Sequence, residues 1–252
     1  MPLASEAGHW YAKDGTPVYE VRRKDGTGTR PTTLADARKL LLVPSVTGII
    51  KMAAAPGLEV WKQQQMMLSA LTLPREPDEK ESDWLKRVIE DSKETARKAA
   101  ETGKYIHGSL EKAITGQPVP LEHEKHVVGA LDALENEFGH IQWEAEKSFA
   151  HPLGYGGKVD LHCTSAVVDF KTKEFDDPSK LQTWDEHHMQ LAGYSQGLRL
   201  HDPAAAICYV STTVPGLCKV IPVTIGELER GWEMFIYLLG YWKAKNNYRS
   251  GF

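Results

Sequence analysis

The stretch over residues 156–173 (G-G-K-V-D-L-H-C-T-S-A-V-V-D-F-K-T-K) constrains this chain most. Val159, Leu161 and Cys163 alternate with Lys158, Asp160 and His162; after Thr164-Ser165-Ala166 come Val167, Val168, Asp169, Phe170 and Lys171. Period-two alternation on either side of a short polar turn is the pattern of two paired strands. Asp169 and Lys171, two residues apart, then share a face, and pairing through the turn brings Asp160 beside Asp169. Two carboxylates and an ammonium on one sheet face make a poor core. The carboxylates repel unless a cation lies between them, and hard oxygen donors suit Mg²⁺ or Mn²⁺. A D-x-K pattern by itself also suits the solvated face of an exposed hairpin, so the rest of the chain has to decide.

The 252 residues, 41% hydrophobic and 25% charged, fit one large domain with enough chain to bury a sizeable core. Cys163, Cys208 and Cys218 are scattered and odd in number, which argues against a disulfide framework and leaves no C-x-x-C pair for zinc. Three cysteines are too few for a four-cysteine iron–sulfur cluster. No run reaches 18 apolar residues and residues 1–10 carry no signal-peptide core, so a cytosolic protein without a membrane part is expected. A net charge of −4 gives no general attraction for polyanions. A polyanion site must be local, with its acidic floor neutralised by metal.

In chain order, residues 9–30 predict a β-hairpin with the Asp14-Gly15 turn between Trp10-Tyr11 and Val18, Tyr19, Glu20 and Val21. Arg22, Arg23, Lys24 and Arg30 form a basic cluster around its glycine-rich end. A short helix follows over 34–42. Ser45 or Thr47 caps another that turns Val46, Ile49, Ile50 and Met52 inward, and Pro56-Gly57 breaks it before a helix over 58–71. Residues 74–82 are polar and proline-punctuated, a connection between an N-terminal elaboration (1–83) and a core (84–252) of the same domain. Residues 84–115 predict a long amphipathic helix with Leu85, Val88, Ile89, Ala96, Ala99, Ala100, Ile106, Leu110 and Ile114 as its buried stripe. Gly103, His107 and Glu111, four apart, share one face of it, and Gly103 would admit a backbone or a substrate strand. A helix over 121–138 carries His123 and His126, expected at the surface. A strand over 141–149 leads into the central hairpin. The helix over 184–200 places Gln190 and Tyr194 one turn apart. Strands over 204–211 and 217–223 precede a closing helix over 225–245, which ends in a basic and aromatic patch of Lys243, Lys245, Tyr248 and Arg249.

The ordered set Gly103-x-x-x-His107-x-x-x-Glu111, Glu146, Gly157-Lys158-Val159-Asp160, Asp169-Phe170-Lys171 and Gln190-x-x-x-Tyr194 resembles the PD-(D/E)XK nuclease superfamily, and within it the RecB-type domains. Val43-Pro44-Ser45-Val46-Thr47-Gly48-Ile49-Ile50, followed by Trp61, is similar to the N-terminal part of phage exonucleases and of the mitochondrial genome maintenance exonuclease. Two departures stand out: Val159 replaces the proline of the family's first motif, and Asp169 stands where many members carry glutamate. The resemblance implies an α/β fold, a mixed central sheet flanked by helices with a helical N-terminal elaboration. It implies that His107, Asp160, Asp169 and the carbonyl of Phe170 bind Mg²⁺ or Mn²⁺. Lys171 would orient the attacking water or stabilise charge on the phosphate, Gln190 and Tyr194 would brace the site or touch the DNA strand, and Glu146 would support the bound water or the hairpin. No iron–sulfur cluster is expected.

The function so implied is a metal-dependent DNA exonuclease of recombination, repair or DNA processing, in a bacterial or phage-infected cytosol. Its substrate would be single-stranded or end-bearing DNA, and its partner a single-strand annealing or single-strand binding protein. Arg22, Arg23, Arg30, Lys173, Lys243, Lys245 and Arg249 are the expected DNA contacts, with Trp and Tyr rings stacking on unpaired bases. An endonuclease of the same fold is the nearest rival; a helical N-terminal third able to roof the groove favours the exonuclease. A catalytically silent binding module is disfavoured by intact Asp160, Asp169 and Lys171. A small-substrate hydrolase using His107 and His162 lacks a ligand motif.

Overall fold

A computed structural model of the chain describes residues 8–249. The first seven residues, on which the absence of a leader was partly read, and the last three lie outside the described residues. The order is β1 (Trp10–Tyr11), β2 (Glu20–Arg22), β3 (Thr29–Pro31), α1 (Leu34–Leu40), β4 (Val43–Pro44), α2 (Val46–Ile50), α3 (Pro56–Thr72), α4 (Glu81–Ile114), α5 (Glu124–Phe138), β5 (Glu144–His151), β6 (Tyr155–His162), β7 (Ala166–Lys173), α6 (Asp185–Gly197), β8 (Ala204–Ser211), β9 (Cys218–Val223) and α7 (Ile225–Lys245).

The last five strands form one sheet in the order β5-β6-β7-β8-β9, antiparallel except for the parallel pair β7–β8. A parallel neighbour needs a crossover, and α6 supplies it. Helices cover both faces. Val167, Ile207, Phe235 and Leu239 join one core on the α2, α6 and α7 side; Ile106, Leu134, Leu161, Val168 and Cys208 join another against α4 and α5. A strand covered twice has no solvent face, which is why β8 (A-A-A-I-C-Y-V-S) is almost continuously apolar. This mixed sheet flanked by helices is the α/β architecture the sequence implied. No helix among the described residues is long and apolar enough to cross a membrane.

The N-terminal segments share the first core through Trp10, Ala37, Leu42, Val46 and Ile49. The Asp14-Gly15 turn folds the chain back as expected, with Val18 N–H donating to the Trp10 carbonyl at 2.8 Å. The partner of β1, however, is β4, and the hairpin proper joins β2 to β3 around Gly26 and Gly28, both at positive φ. Ser45 caps α2 by accepting from Gly48 N–H at 3.0 Å, and Pro56 opens α3 at its first turn, where its missing N–H costs nothing.

Three expectations need correcting. The stripe along α4 is buried only at Val88, Gly103, Ile106, Ser109 and Leu110; Leu85 (44%) and Ile89 (37%) are exposed, because this half of α4 lies against α3 away from the sheet. His126 is buried, since α5 packs that side on β8 and β9. Gly103 is approached by the Thr172 side chain of β7, whose Oγ1 would lie 2.6 Å from an added Cβ, so the close approach it signals is internal.

Candidate active site

β6 and β7 pair only at Leu161↔Val168 and His162↔Val167. The next pair of positions is Asp160 and Asp169, and there the backbone ladder stops. The Asp160 carboxylate takes its place, with Oδ2 accepting from Phe170 N–H at 2.9 Å. A side chain that substitutes for a ladder carbonyl holds the strands apart, and the opening is reached from both helical layers: His107 from α4 and Gln190 from α6. Asp160 lies 3.5 Å from His107 Nδ1.

Asp169 is buried. Its Oδ1 accepts from Gln190 Nε2 at 2.7 Å, and the same nitrogen donates to Tyr194 Oη at 2.9 Å. The spacing of four residues puts Gln190 and Tyr194 on one face of α6, so the tyrosine orients the glutamine and the glutamine orients the aspartate. Gln190 Oε1 accepts from Lys171 Nζ at 3.0 Å. Lys171 Nζ stands 2.6 Å from Asp169 Oδ2, so the ammonium is the partner of the one Asp169 oxygen that Gln190 does not bind.

The electrostatics follow from crowding two carboxylates into a desolvated gap. Burial, then the neighbouring Asp169 charge, raises the Asp160 carboxyl well above the ordinary carboxylate range, against the opposing effects of Phe170 N–H, Lys171 and Lys158. Burial would lower the Lys171 ammonium, but Asp169, Asp160 and Glu186 together hold it above its ordinary value. Burial also lowers His107, with Asp169 and a hydrogen bond to the Phe170 backbone acting the other way.

Whether these residues suit a hard divalent cation turns on the donors. Asp160, the Asp169 Oδ2 that only the mobile Lys171 ammonium contacts, and the Phe170 carbonyl are hard oxygens beside a gap that crowds two carboxylates, and they fit. Among the described residues, no group of three or more His, Cys, Asp or Glu side chains converges as a metal cluster; His107 Nδ1 stands beside the Asp160 carboxylate. Glu146, at φ 59° in β5, pairs with Lys158 of β6, which places both at the margin of the gap. A non-glycine residue at positive φ is strained, and no sequence signal marks it.

The expected DNA contacts are dispersed. Arg22, Arg23 and Lys173 are exposed, with Arg23 Nε donating to the Thr29 carbonyl at 3.0 Å. Arg30 is held by Asp36 through two hydrogen bonds, 2.6 and 2.9 Å. Lys243 donates to the Leu153 carbonyl at 2.5 Å, Lys245 lies 5.8 Å from the Tyr241 ring centroid, and Arg249 is exposed. Trp242 and Tyr248 are buried against Trp10, and Tyr248 Oη donates to the Leu42 carbonyl, so these two rings are core and not stacking surfaces. Sequence reasoning missed Glu186, whose field reaches Lys171, and an adjoining groove of about 1220 Å³. Its rim carries exposed Trp184 and Tyr237. The missed signal for both was the polar start of α6, D-E-H-H, one turn before Gln190.

No protein-family model matches the chain, and no curated protein matches it. Among solved structures it is similar to SSO0001, at 17% identity and a TM-score of 0.27, covering 72% of this chain and 86% of that one. It is also similar to an alkaline exonuclease from Laribacter hongkongensis (LHK-Exo), at 16% identity and a TM-score of 0.29, covering 56% of this chain and 83% of that one. At these TM-scores the likeness carries no argument, and any functional reading rests on the geometry of Asp160, Asp169, Lys171 and Gln190.

Proposed function

We propose that the chain is a divalent-metal-dependent deoxyribonuclease, acting as an exonuclease on end-bearing or single-stranded DNA. The observation that carries the reading is the opening between β6 and β7, where two carboxylates and a lysine held by a glutamine meet beside the Phe170 backbone. Asp160, Asp169 and the Phe170 carbonyl would hold Mg²⁺ or Mn²⁺, which when bound lowers the pKa of a water and draws charge from a phosphate oxygen. Lys171 stays protonated beside two carboxylates, so its part is to stabilise the negative charge that builds on the phosphate, not to remove a proton. Gln190 and Tyr194 keep Asp169 in one orientation, so no reorganisation is needed as charge develops. His107, neutral at pH 7 because burial lowers it, braces the Phe170 carbonyl from the α4 side.

The test is hydrolysis of end-labelled linear and of circular DNA, single- and double-stranded, in Mg²⁺, Mn²⁺ or EDTA. The expected result is degradation of linear DNA in either metal, sparing of circles and no activity in EDTA. Asp160→Asn should lose cleavage and keep its fold, because the amide is the same size and a far poorer cation ligand. Cutting of circular DNA would make the enzyme an endonuclease; full activity of Asp160→Asn in Mg²⁺ would remove Asp160 as a metal ligand, and no cleavage of any of these DNAs in either metal would remove the nuclease reading.

A further inference from the structure

We infer that Lys171 is a tethered competitor for the metal position, so that the divalent ion and the nucleic acid bind cooperatively through this one side chain. The inference rests on the nuclease reading and adds to it an order imposed by the protein itself.

The Lys171 ammonium is held at two points, 2.6 Å from Asp169 Oδ2 and 3.0 Å from Gln190 Oε1. The second point is rigid. Gln190 spends its amide nitrogen on both Asp169 Oδ1 and Tyr194 Oη, so the amide cannot turn over without losing two buried hydrogen bonds, and Oε1 faces Lys171 permanently. Asp169 Oδ1 is likewise engaged, which leaves Oδ2 as the free donor atom for a cation. A divalent ion sits about 2.1 Å from a carboxylate oxygen and repels a neighbouring ammonium. Lys171 and the ion therefore contend for the same oxygen.

The ammonium can be drawn away. The Lys171 side chain is 32% exposed, on a flexible four-carbon stem, whereas Asp169 is fixed and buried. A phosphate arriving at the mouth of the gap offers the ammonium anionic oxygens in exchange for Oδ2. Freed of the ammonium, Oδ2 takes the ion at full strength. By linkage, a bound ion that displaces the ammonium toward solvent raises affinity for the phosphate by the same factor. Loading in the absence of substrate is thereby held back.

The test reads metal binding, not turnover. Free Mn²⁺ is measured by electron paramagnetic resonance during titration of wild type and Lys171→Met, with and without a short phosphorothioate oligonucleotide that resists hydrolysis. Methionine keeps the stem and removes the charge; Lys171→Gln is the second variant, and circular dichroism confirms that each folds. An opposite charge close by typically moves a carboxylate's ionisation by one to three pK units, so removing it should tighten Mn²⁺ binding roughly 10–1,000-fold without oligonucleotide. In wild type the oligonucleotide should tighten Mn²⁺ by a similar factor, and in the variants by at least tenfold less, since phosphate ligation alone remains. Variants that bind Mn²⁺ no tighter than wild type, or an oligonucleotide effect equal in all three proteins, would overturn the inference while leaving the nuclease reading intact. A wild-type protein that takes up neither Mn²⁺ nor oligonucleotide would remove both.

Discussion

Two glycines of α7 should respond to the same substitution with opposite signs. Gly231 and Gly240 both lie inside this 21-residue helix, where alanine is the better residue by about 0.5–1 kcal/mol because it lowers the backbone entropy of the unfolded chain. Gly240 has nothing within 4 Å of the place a Cβ would take, so Gly240→Ala should gain that amount. At Gly231 the new methyl would meet the α6 backbone, 2.5 Å from His188 C, 2.6 Å from its carbonyl oxygen and 2.9 Å from Met189 N. Ordinary van der Waals separation begins near 3.4 Å, so the helices must part by about 0.9 Å, and backbone atoms have no rotamer to give. Overpacking of that kind costs about 1–3 kcal/mol. Set against the propensity gain, Gly231→Ala should lose about 1 kcal/mol at the middle of these ranges, and the two variants should differ by the overpacking cost itself, about 1–3 kcal/mol. Urea unfolding followed by circular dichroism measures this directly. The effect should also reach the site, because His188 and Met189 immediately precede Gln190: a displaced α6 lengthens the Gln190–Asp169 hydrogen bond and lowers cleavage at saturating DNA. A Gly231→Ala protein as stable as Gly240→Ala would show that α6 and α7 stand further apart than these distances require.

Burial, then the Lys171 charge, lowers His187 to about 4, below the ordinary 6.5 of the unfolded chain. As pH falls the unfolded state takes the proton first, so stability is whole above pH 6.5 and falls by about 2–3 kcal/mol by pH 4.5; His187→Gln should flatten that fall in paired melts at pH 7 and pH 4.5, and an unchanged difference would contradict it. His107→Ala should weaken metal use without abolishing it, with Mn²⁺ restoring more than Mg²⁺; parity with wild type at limiting metal would make His107 a packing residue. Arg22→Ala/Arg23→Ala should reduce oligonucleotide affinity in Ca²⁺ and lower the salt slope by roughly one unit for each phosphate the arginines neutralise, and an unchanged slope would put the DNA path elsewhere.

What was legible in the sequence was local and periodic. Alternation across residues 156–173 placed Asp160 opposite Asp169, and a spacing of four placed Tyr194 under Gln190; both require only the geometry of one strand pair or one helical turn. What was not legible depends on who lies across a long stretch of chain. The turn after Tyr11 is real, yet β1 takes β4 as its partner, because a two-residue strand follows the core and not the nearest turn. The apolar stripe of α4 is real too, but a stripe states only that one face is apolar. Whether anything covers Leu85 and Ile89 depends on where α3 ends and the sheet begins.

The charged residues divide in the same way. Arg22 and Arg30 look alike as letters in one basic cluster, but Asp36 is built into the cap of α1 through Thr33 and holds Arg30 there. Its carboxyl is driven far below the usual range, first by Arg30 and then by Thr33, so the guanidinium is committed to the fold over the whole physiological range. Arg22 has no such partner built into its own hairpin end, and it is the exposed member of the pair. A basic residue is available to a phosphate only where the fold has not already engaged it, and by that criterion Lys171 is the exception that matters. It is engaged, but by a carboxylate oxygen that a divalent ion can claim and at a side chain still a third open to solvent. An ammonium held so can change partners; one held as Arg30 is cannot.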